Sequence, residues 1–507
     1  METKSEERET TQATSRRTGP DLAPEEFRRL GHELVDRLAG HMARMPEGPV
    51  RPDETGAAVR GALNAARRLP ETGADAGALL DTAADLLFEH SVFNGHPRFF
   101  GYITSSPAPI GVLGDFLASA VNQNCGGWML SPMATEIEAQ TVRWIAELIG
   151  FAPLPRRSSE AAEAGGVLVS GGNMANFVCL LAARTAKAGW DVRKTGISGS
   201  HPRLVLYASS ETHTWVQKAA DLFGFGTDAI RWIPVDEHQR LKTGDLHRQI
   251  ELDRARGDRP FLVVGTAGSV STGAIDPLPE MAAICREHDL WFHVDGAYGA
   301  FAAALPDVPA DLLGLSQADS VAVDPHKWLY APLEAGCALV KRPVDLRNAF
   351  SYHPPYYRFG EETLNFVDYG LQNSRGFRAL KVWLALQQLG RSGYVASMAE
   401  DIRLSRKLFD LVRAHPEFEA LTQNLSIATF RYVPRELRSK LGEPETEASL
   451  NTLNEELLAR LEKSGRAFLS NAVIAGKFAM RACIVNFRTT DEDIDALPEI
   501  IASLGRQ

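Results

Sequence analysis

Asp319-Ser320-Val321-Ala322-Val323-Asp324-Pro325-His326-Lys327-Trp328 opens on a short apolar run rich in valine and closes on one lysine held between an imidazole and an indole. The run predicts a β-strand, and the lysine sits in the turn that follows it. Residues just past a strand end are where α/β sheets gather their ligands. Taken alone, Lys327 reads as a surface lysine, because lysines are nearly always exposed. Three other stretches change that reading.

The first is Leu290-Trp291-Phe292-His293-Val294-Asp295-Gly296-Ala297-Tyr298-Gly299, a buried-looking strand that ends in a carboxylate and then small residues. Asp295 faces a ligand or caps a helix. Ala297, two positions on, leans to the same side in an extended chain, and Gly296 and Gly299 let backbone come close. The second is Gly165-Gly166-Val167-Leu168-Val169-Ser170-Gly171-Gly172-Asn173-Met174-Ala175-Asn176, where a strand gives way to glycines and a helical pattern through Leu180, Leu181 and Arg184. A helix N-terminus approached through glycines holds an anion on its free N–H groups. The spacing is neither a P-loop nor a dinucleotide fingerprint. The third is Leu204-Val205-Leu206-Tyr207-Ala208-Ser209-Ser210-Glu211-Thr212-His213-Thr214-Trp215, again a strand, followed by an imidazole able to lie flat on a pyridine ring.

An anion cradle, a stacking imidazole, a strand-end aspartate and a strand-end lysine match the parts of pyridoxal 5′-phosphate. The phosphate meets the cradle and the aldehyde meets the lysine. An aspartate beside the pyridine nitrogen keeps it protonated, so that the ring withdraws electrons from a substrate α-carbon.

Pro325-His326-Lys327-Trp328 resembles the lysine motif of the group II pyridoxal-phosphate-dependent amino-acid decarboxylases, and His293-Val294-Asp295-Gly296-Ala297-Tyr298 resembles their His-Val-Asp-Ala-Ala-Tyr element. This family includes aromatic-L-amino-acid, tryptophan, glutamate and 2,4-diaminobutyrate decarboxylases. His96-Pro97-Arg98-Phe99-Phe100-Gly101-Tyr102, Ser131-Pro132-Met133-Ala134-Thr135-Glu136 and Phe377-Arg378-Ala379-Leu380-Lys381-Val382-Trp383 extend the likeness from about residue 22 to the end.

The resemblance implies a fold-type I enzyme and a homodimer. It implies that Lys327 carries the cofactor as an internal aldimine, that Asp295 pairs with the pyridine nitrogen and that His213 stacks on the ring. Gly172 and Asn173 would bind phosphate, Ala297 would pack on the opposite ring face, and His326 would contact phosphate or help proton movement. A mobile-loop tyrosine that protonates the substrate carbon is implied in Ser351-Tyr352-His353-Pro354-Pro355-Tyr356-Tyr357-Arg358, with Tyr357 favoured and Tyr356 the alternative.

Two departures from the animal aromatic-acid enzymes bear on substrate. Asn122-Gln123-Asn124-Cys125-Gly126-Gly127-Trp128 stands where those enzymes present bulky apolar side chains from the neighbouring subunit, so Gly126 is expected to leave room for a large indole, with a polar side chain met by Asn124 as the alternative. Asp324 stands where asparagine is familiar. The implied reaction is α-decarboxylation of an L-amino acid to an amine and carbon dioxide. Aromatic substrates (tryptophan, tyrosine, phenylalanine) rank first; diaminobutyrate or glutamate, or a decarboxylating aldehyde synthase, are the alternatives. An aminotransferase needs a dedicated arginine for the α-carboxylate, for which Arg375 and Arg378 are candidates. An inactive scaffold would have lost a site residue, and none is lost.

Composition agrees with a catalytic chain. A length of 507 residues allows more than one lobe, and a net charge of −10 with both signs interspersed excludes a polybasic surface for nucleic acid or anionic membrane. The segment from Met1 to Thr18 is polar and charged, unlike a secretory signal, and no apolar run is long enough to cross a bilayer. Five scattered cysteines suggest reduced thiols in the cytoplasm, with neither disulfides nor a zinc site. His288 and His293 lack partners in sequence, so no metal is expected.

The expected organisation is a disordered lead-in over 1–21, an N-terminal helical dimerisation segment over 22–105, a large α/β cofactor domain over 106–400 and a small α+β domain over 401–507. In the first helix Phe27, Leu30, Leu34 and Val35 form an apolar stripe that wants a partner, preferably a second subunit. Ser131 is expected to cap a helix whose first turn holds Pro132 and which Gly150 ends. Strands then alternate with helices, predicting a mostly parallel central sheet flanked by helices. Beyond residue 401 a strand over 426–433 and a leucine-faced helix closed by Gly465 predict the small domain.

Overall fold

The structure, a computed structural model, describes residues 19–151, 165–353 and 363–507. The chain divides into two compact units, Met1–Gly48 with Glu54–Ser91, and Pro49–Asp53 with Val92–Gln507.

The first unit is helical. Pro24–Arg44 is one helix with Pro24 in its first turn. Thr55 accepts from Ala58 N at 3.2 Å and Asp75 from Ala78 N at 2.9 Å, capping helices Gly56–Ala62 and Ala76–Glu89. Arg37 reaches from the first helix to Asp81 and Asp85 of the last. Of the expected apolar stripe, Leu30 is buried, while Phe27 (51%) and Val35 (45%) are exposed.

The second unit contains both sheets. Strands β1 (Gly166–Val169), β2 (Leu204–Ser209), β3 (Ile230–Ile233), β4 (Arg259–Thr266), β5 (Trp291–Asp295), β6 (Ser320–Val323) and β7 (Gly336–Val340) form a sheet of order β1-β7-β6-β5-β4-β2-β3. Pairings from β6 to β3 are parallel, and β7 runs antiparallel to both β6 and β1. Successive residues of β4 enter opposite cores: Val263 joins Leu246, Leu278 and Met281, while Leu262 and Val264 join Phe177, Leu180 and Val216. A sheet covered by helices on both faces needs such continuous apolar strands, which is why the alternating signal of a half-exposed sheet is missing from the sequence.

A second sheet, antiparallel throughout, has the order β10-β11-β9-β8, with β8 Phe418–Asn424, β9 Ile427–Tyr432, β10 Ser470–Ile474 and β11 Lys477–Cys483. Helices Ala379–Ala414, Pro444–Ser464 and Asp491–Gly505 pack Leu404, Leu408, Leu457, Leu461, Leu497 and Ile501 into one core with Phe430 and Met480. Gly465 ends its helix in the left-handed region (φ 65°), and a Cβ there would stand 2.7 Å from Pro49 Cβ.

Helix Pro132–Leu148 forms as expected, but Ser131 makes no side-chain cap. Its hydroxyl instead donates to the Gly127 carbonyl at 3.3 Å, joining the helix start to the preceding loop.

Candidate active site

The carboxyl ends of β4, β5 and β6 open on one side of the large sheet, and the chain leaving each of them carries a polar group into a single cavity of about 530 Å³. Gly172, Asn173, His213, Asp295, Ala297, His326 and Lys327 all line it, together with Ser170, Thr266, Tyr298, Asp324 and Glu334. Seven sequence-derived candidates, spread over more than 150 residues of chain, therefore converge. Tyr356 and Tyr357 lie outside the described residues.

Lys327 occupies the single helical turn Pro325–Trp328 that follows β6. The turn is fixed on several sides: Asp324 N donates to the Ala297 carbonyl at 3.1 Å, Lys327 N donates to the Asp324 carbonyl at 2.9 Å, and Ser105 Oγ donates to the His326 carbonyl at 2.8 Å. Lys327 Nζ stands 3.1 Å from Asp324 Oδ2, which is also 3.8 Å from His326 Nε2. His326 Nδ1 is hydrogen-bonded to the Ala335 carbonyl at 2.7 Å, and burial holds its imidazole below the ordinary value.

Behind the lysine turn, Asp401 accepts hydrogen bonds from Trp328 Nε1 at 2.8 Å and the Tyr330 hydroxyl at 2.7 Å. Desolvation pushes this carboxyl up to about 7, against the pull of those two donors. Tyr298 stacks on Trp328 with centroids 4.8 Å apart, and its hydroxyl is 2.6 Å from Ser426 Oγ at the start of β9.

Asp295 is buried at the end of β5. Its Oδ2 accepts from Trp215 Nε1 at 2.8 Å and its Oδ1 from Ala297 N at 3.2 Å, so both carboxylate oxygens are held in place. Two residues before Trp215, His213 Nδ1 accepts from Trp215 N at 3.2 Å, which leaves the proton of the neutral ring on Nε2. Burial lowers the basicity of His213 more than the nearby Asp295 carboxylate raises it. Underneath, His293 is bridged between Asn176 Oδ1 at 2.7 Å and Ser320 Oγ at 2.9 Å, and burial holds it at about 4, fixing a neutral imidazole between two strands and a helix.

At the cavity's other end helix Gly172–Lys187 begins, preceded by Gly171 at φ 122°. A Cβ on Gly172 would stand 2.7 Å from Asp324 Oδ2, so glycine is what lets the helix start lie this close to the lysine turn. These groups fit pyridoxal phosphate: an amine, a doubly anchored carboxylate, a neutral imidazole and a bare helix N-terminus line one cavity of suitable size. No second glycine-rich cradle has to be invoked.

Two expectations are corrected. Asn124 Oδ1 accepts from Gly126 N at 3.1 Å and Arg375 N at 3.0 Å, so its carbonyl is engaged by its own loop and by a distant segment of chain. The space beside Gly126 is filled, because a Cβ there would meet the Asn373 carbonyl at 2.4 Å. Arg375 is likewise committed: it pairs with buried Glu138 and donates to the Cys125 and Leu168 carbonyls, each at 2.8 Å. Arg378 donates to Glu334 at 2.9 Å and Gln372 at 3.3 Å. Neither guanidinium is left as an open fork for a substrate carboxylate.

Sequence reasoning overlooked Trp215 and Thr266. Trp215 follows His213 by two residues, but nothing local says that its indole reaches Asp295 eighty residues away. Thr266 ends β4 beside Asp295, so the strand-end rule that selected Asp295 applies to it equally.

The conserved-domain model for pyridoxal-dependent decarboxylases matches residues 63–433. The chain is 34% identical over 491 residues to an aromatic-L-amino-acid decarboxylase of Bacillus atrophaeus, covering 96% of this chain and 97% of that one. It is 31% identical to a phenylacetaldehyde synthase of Petunia hybrida, covering 91% of each. Among solved structures, the Oryza sativa TDC with PLP and tryptamine superposes with a TM-score of 0.86 at 27% identity, covering 96% of this chain and 99% of that one.

Proposed function

Since the chain belongs to the pyridoxal-dependent decarboxylase family and is a pyridoxal-phosphate-dependent amino-acid decarboxylase, we propose that it removes the α-carboxyl group of an aromatic L-amino acid through the site around Lys327. The observation that carries this reading is the convergence of Lys327, Asp295, His213 and the Gly172 helix start on one cavity. Aromatic preference is supported by the names of the relatives: the bacterial enzyme acts on aromatic L-amino acids, and the rice structure holds tryptamine.

Lys327 supplies the amine that meets the cofactor aldehyde, and Gly172 and Asn173 offer backbone N–H groups to its phosphate. When bound, the cofactor supplies an electron-withdrawing ring that accepts the electron pair released from the α-carbon. Asp295 would hold a proton at the pyridine nitrogen, and Trp215 and Ala297 fix its two oxygens in place. His213 and Ala297 would hold the ring between them, and His326 would contact the phosphate or help proton movement. Tyr357 delivers a proton to the substrate α-carbon.

A second reading has a specific basis in the similarity to phenylacetaldehyde synthase: decarboxylation is then coupled to oxidation by dioxygen, which with water gives the aldehyde, ammonia and hydrogen peroxide. The site works in a homodimer. Support comes from helix Pro109–Val121, which leaves Leu113, Phe116, Leu117 and Val121 exposed at the spacing of one helix face. Among the described residues no helix is long and apolar enough to cross a membrane, and the five cysteines are unpaired and buried, as suits a protein of the cytoplasm.

The test is to incubate cofactor-loaded protein with the twenty common amino acids and diaminobutyrate, measuring carbon dioxide, amine, aldehyde and ammonia. The reading expects amine from tryptophan, tyrosine or phenylalanine. Turnover of diaminobutyrate or glutamate alone would overturn the aromatic assignment, and aldehyde with ammonia would establish the second reading.

A further inference from the structure

Helix Thr243–Ala255 runs beside helix Leu278–Glu287, both packed on the large sheet. One imidazole nitrogen each from His247 and His288 and a carboxylate oxygen of Glu287 lie within 4.8 Å of one another. His247 Nε2 is 3.5 Å from Glu287 Oε1, too long for a good hydrogen bond, and the two imidazole rings meet edge-on with centroids 4.9 Å apart. His288 is only 8% exposed, yet its Nε2 is buried with no hydrogen-bond partner among the described residues. A buried imidazole nitrogen without a partner is uncommon and asks for an explanation.

We propose that His247, Glu287 and His288 form a binding site for one divalent transition cation of the zinc and nickel class, clasping the two helices together. Two imidazoles and one carboxylate are the ligand types such ions take, with open positions left for water. Bonds of about 2.0–2.1 Å place tetrahedral ligands about 3.3 Å apart. The present span closes to that by rotation of Glu287, whose side chain is 62% exposed, and of half-exposed His247.

Glu251 stands one helical turn beyond His247, with Oε2 3.9 Å from His247 Nδ1, and adds a second negative charge. The opposing charge is Arg254, whose guanidinium donates to the His288 carbonyl. The sequence hid this site because His247 is forty residues from Glu287. His288 leads through Asp289 and Leu290 into β5, so the clasp anchors the strand that ends in Asp295.

The test uses untagged, cofactor-loaded protein titrated with Zn²⁺ or Ni²⁺ at neutral pH. Bound metal is measured after removal of the free ion, and the unfolding temperature is measured with the ion and with a chelator. One cation per chain and a raised unfolding temperature are expected. His247→Ala, at a half-exposed position that tolerates truncation, should weaken binding about tenfold or more and abolish the thermal shift. Binding should also fall as pH drops through the imidazole range. No retained metal in the wild type, or equal retention by His247→Ala, overturns the proposal, and neither result bears on the decarboxylase reading.

Discussion

Asp324 Oδ2 lies 3.1 Å from Lys327 Nζ, while Asp324 Oδ1 is buried without a hydrogen-bond partner among the described residues. The same side chain crowds the helix start at Gly172, where a phosphate is to be held. A carboxylate beside a bound phosphate would repel it, and low local dielectric strengthens the repulsion. Asp324→Asn keeps the shape and removes the charge, so cofactor affinity should rise about tenfold, roughly 1.4 kcal/mol. Equilibrium titration of the cofactor-free protein checks this. Weaker binding would mean that pairing with Lys327 outweighs the repulsion.

Trp215→Phe keeps an aromatic edge against His293 but deletes the donor to Asp295 Oδ2. A hydrogen bond to a charged group contributes about 1.5–3 kcal/mol, so turnover should fall roughly ten- to a hundredfold with the fold intact. Steady-state rates, cofactor absorbance and circular dichroism, measured together, separate this from unfolding.

How far this site could be read from the sequence is clear from these two residues. Lys327, His213 and Gly172 each follow a strand and Asp295 ends one, and all four line one cavity. The sheet was legible too, since its strands are continuous apolar runs. Trp215 and Arg375 were not legible in their roles, because long side chains reach partners fixed only by tertiary packing. Asn124 and Gly126 misled for a related reason: the backbone of Arg375 and Asn373, far along the chain, engages the one and fills the space beside the other.

Two buried groups should give opposite pH effects on stability. His293 is held at about 4, below its unfolded value near 6.5, so its contribution is present above 6.5 and lost as pH falls toward 4. Asp401 is raised from 3.8 to about 7, so its contribution is present below 3.8 and lost as pH rises through 7. Thermal melts from pH 4 to 8 should show His293→Asn flattening the acid limb and Asp401→Asn the alkaline limb. Unchanged slopes in both variants would contradict this.

Tyr357→Phe removes the proposed proton donor to the substrate carbon. Amine formation should fall at least tenfold, with aldehyde and ammonia becoming a larger share of product. Paired amine and ammonia assays read the split, and an unaltered ratio and rate would shift the role to Tyr356.

Lys327→Ala should leave turnover undetectable, but loss of activity alone does not locate a bond. The most direct measurement is borohydride reduction of the cofactor-loaded protein followed by peptide mass mapping. The account predicts a phosphopyridoxyl group on the peptide containing Lys327 and no such label in Lys327→Ala. A label on a different lysine in the wild-type protein would contradict it.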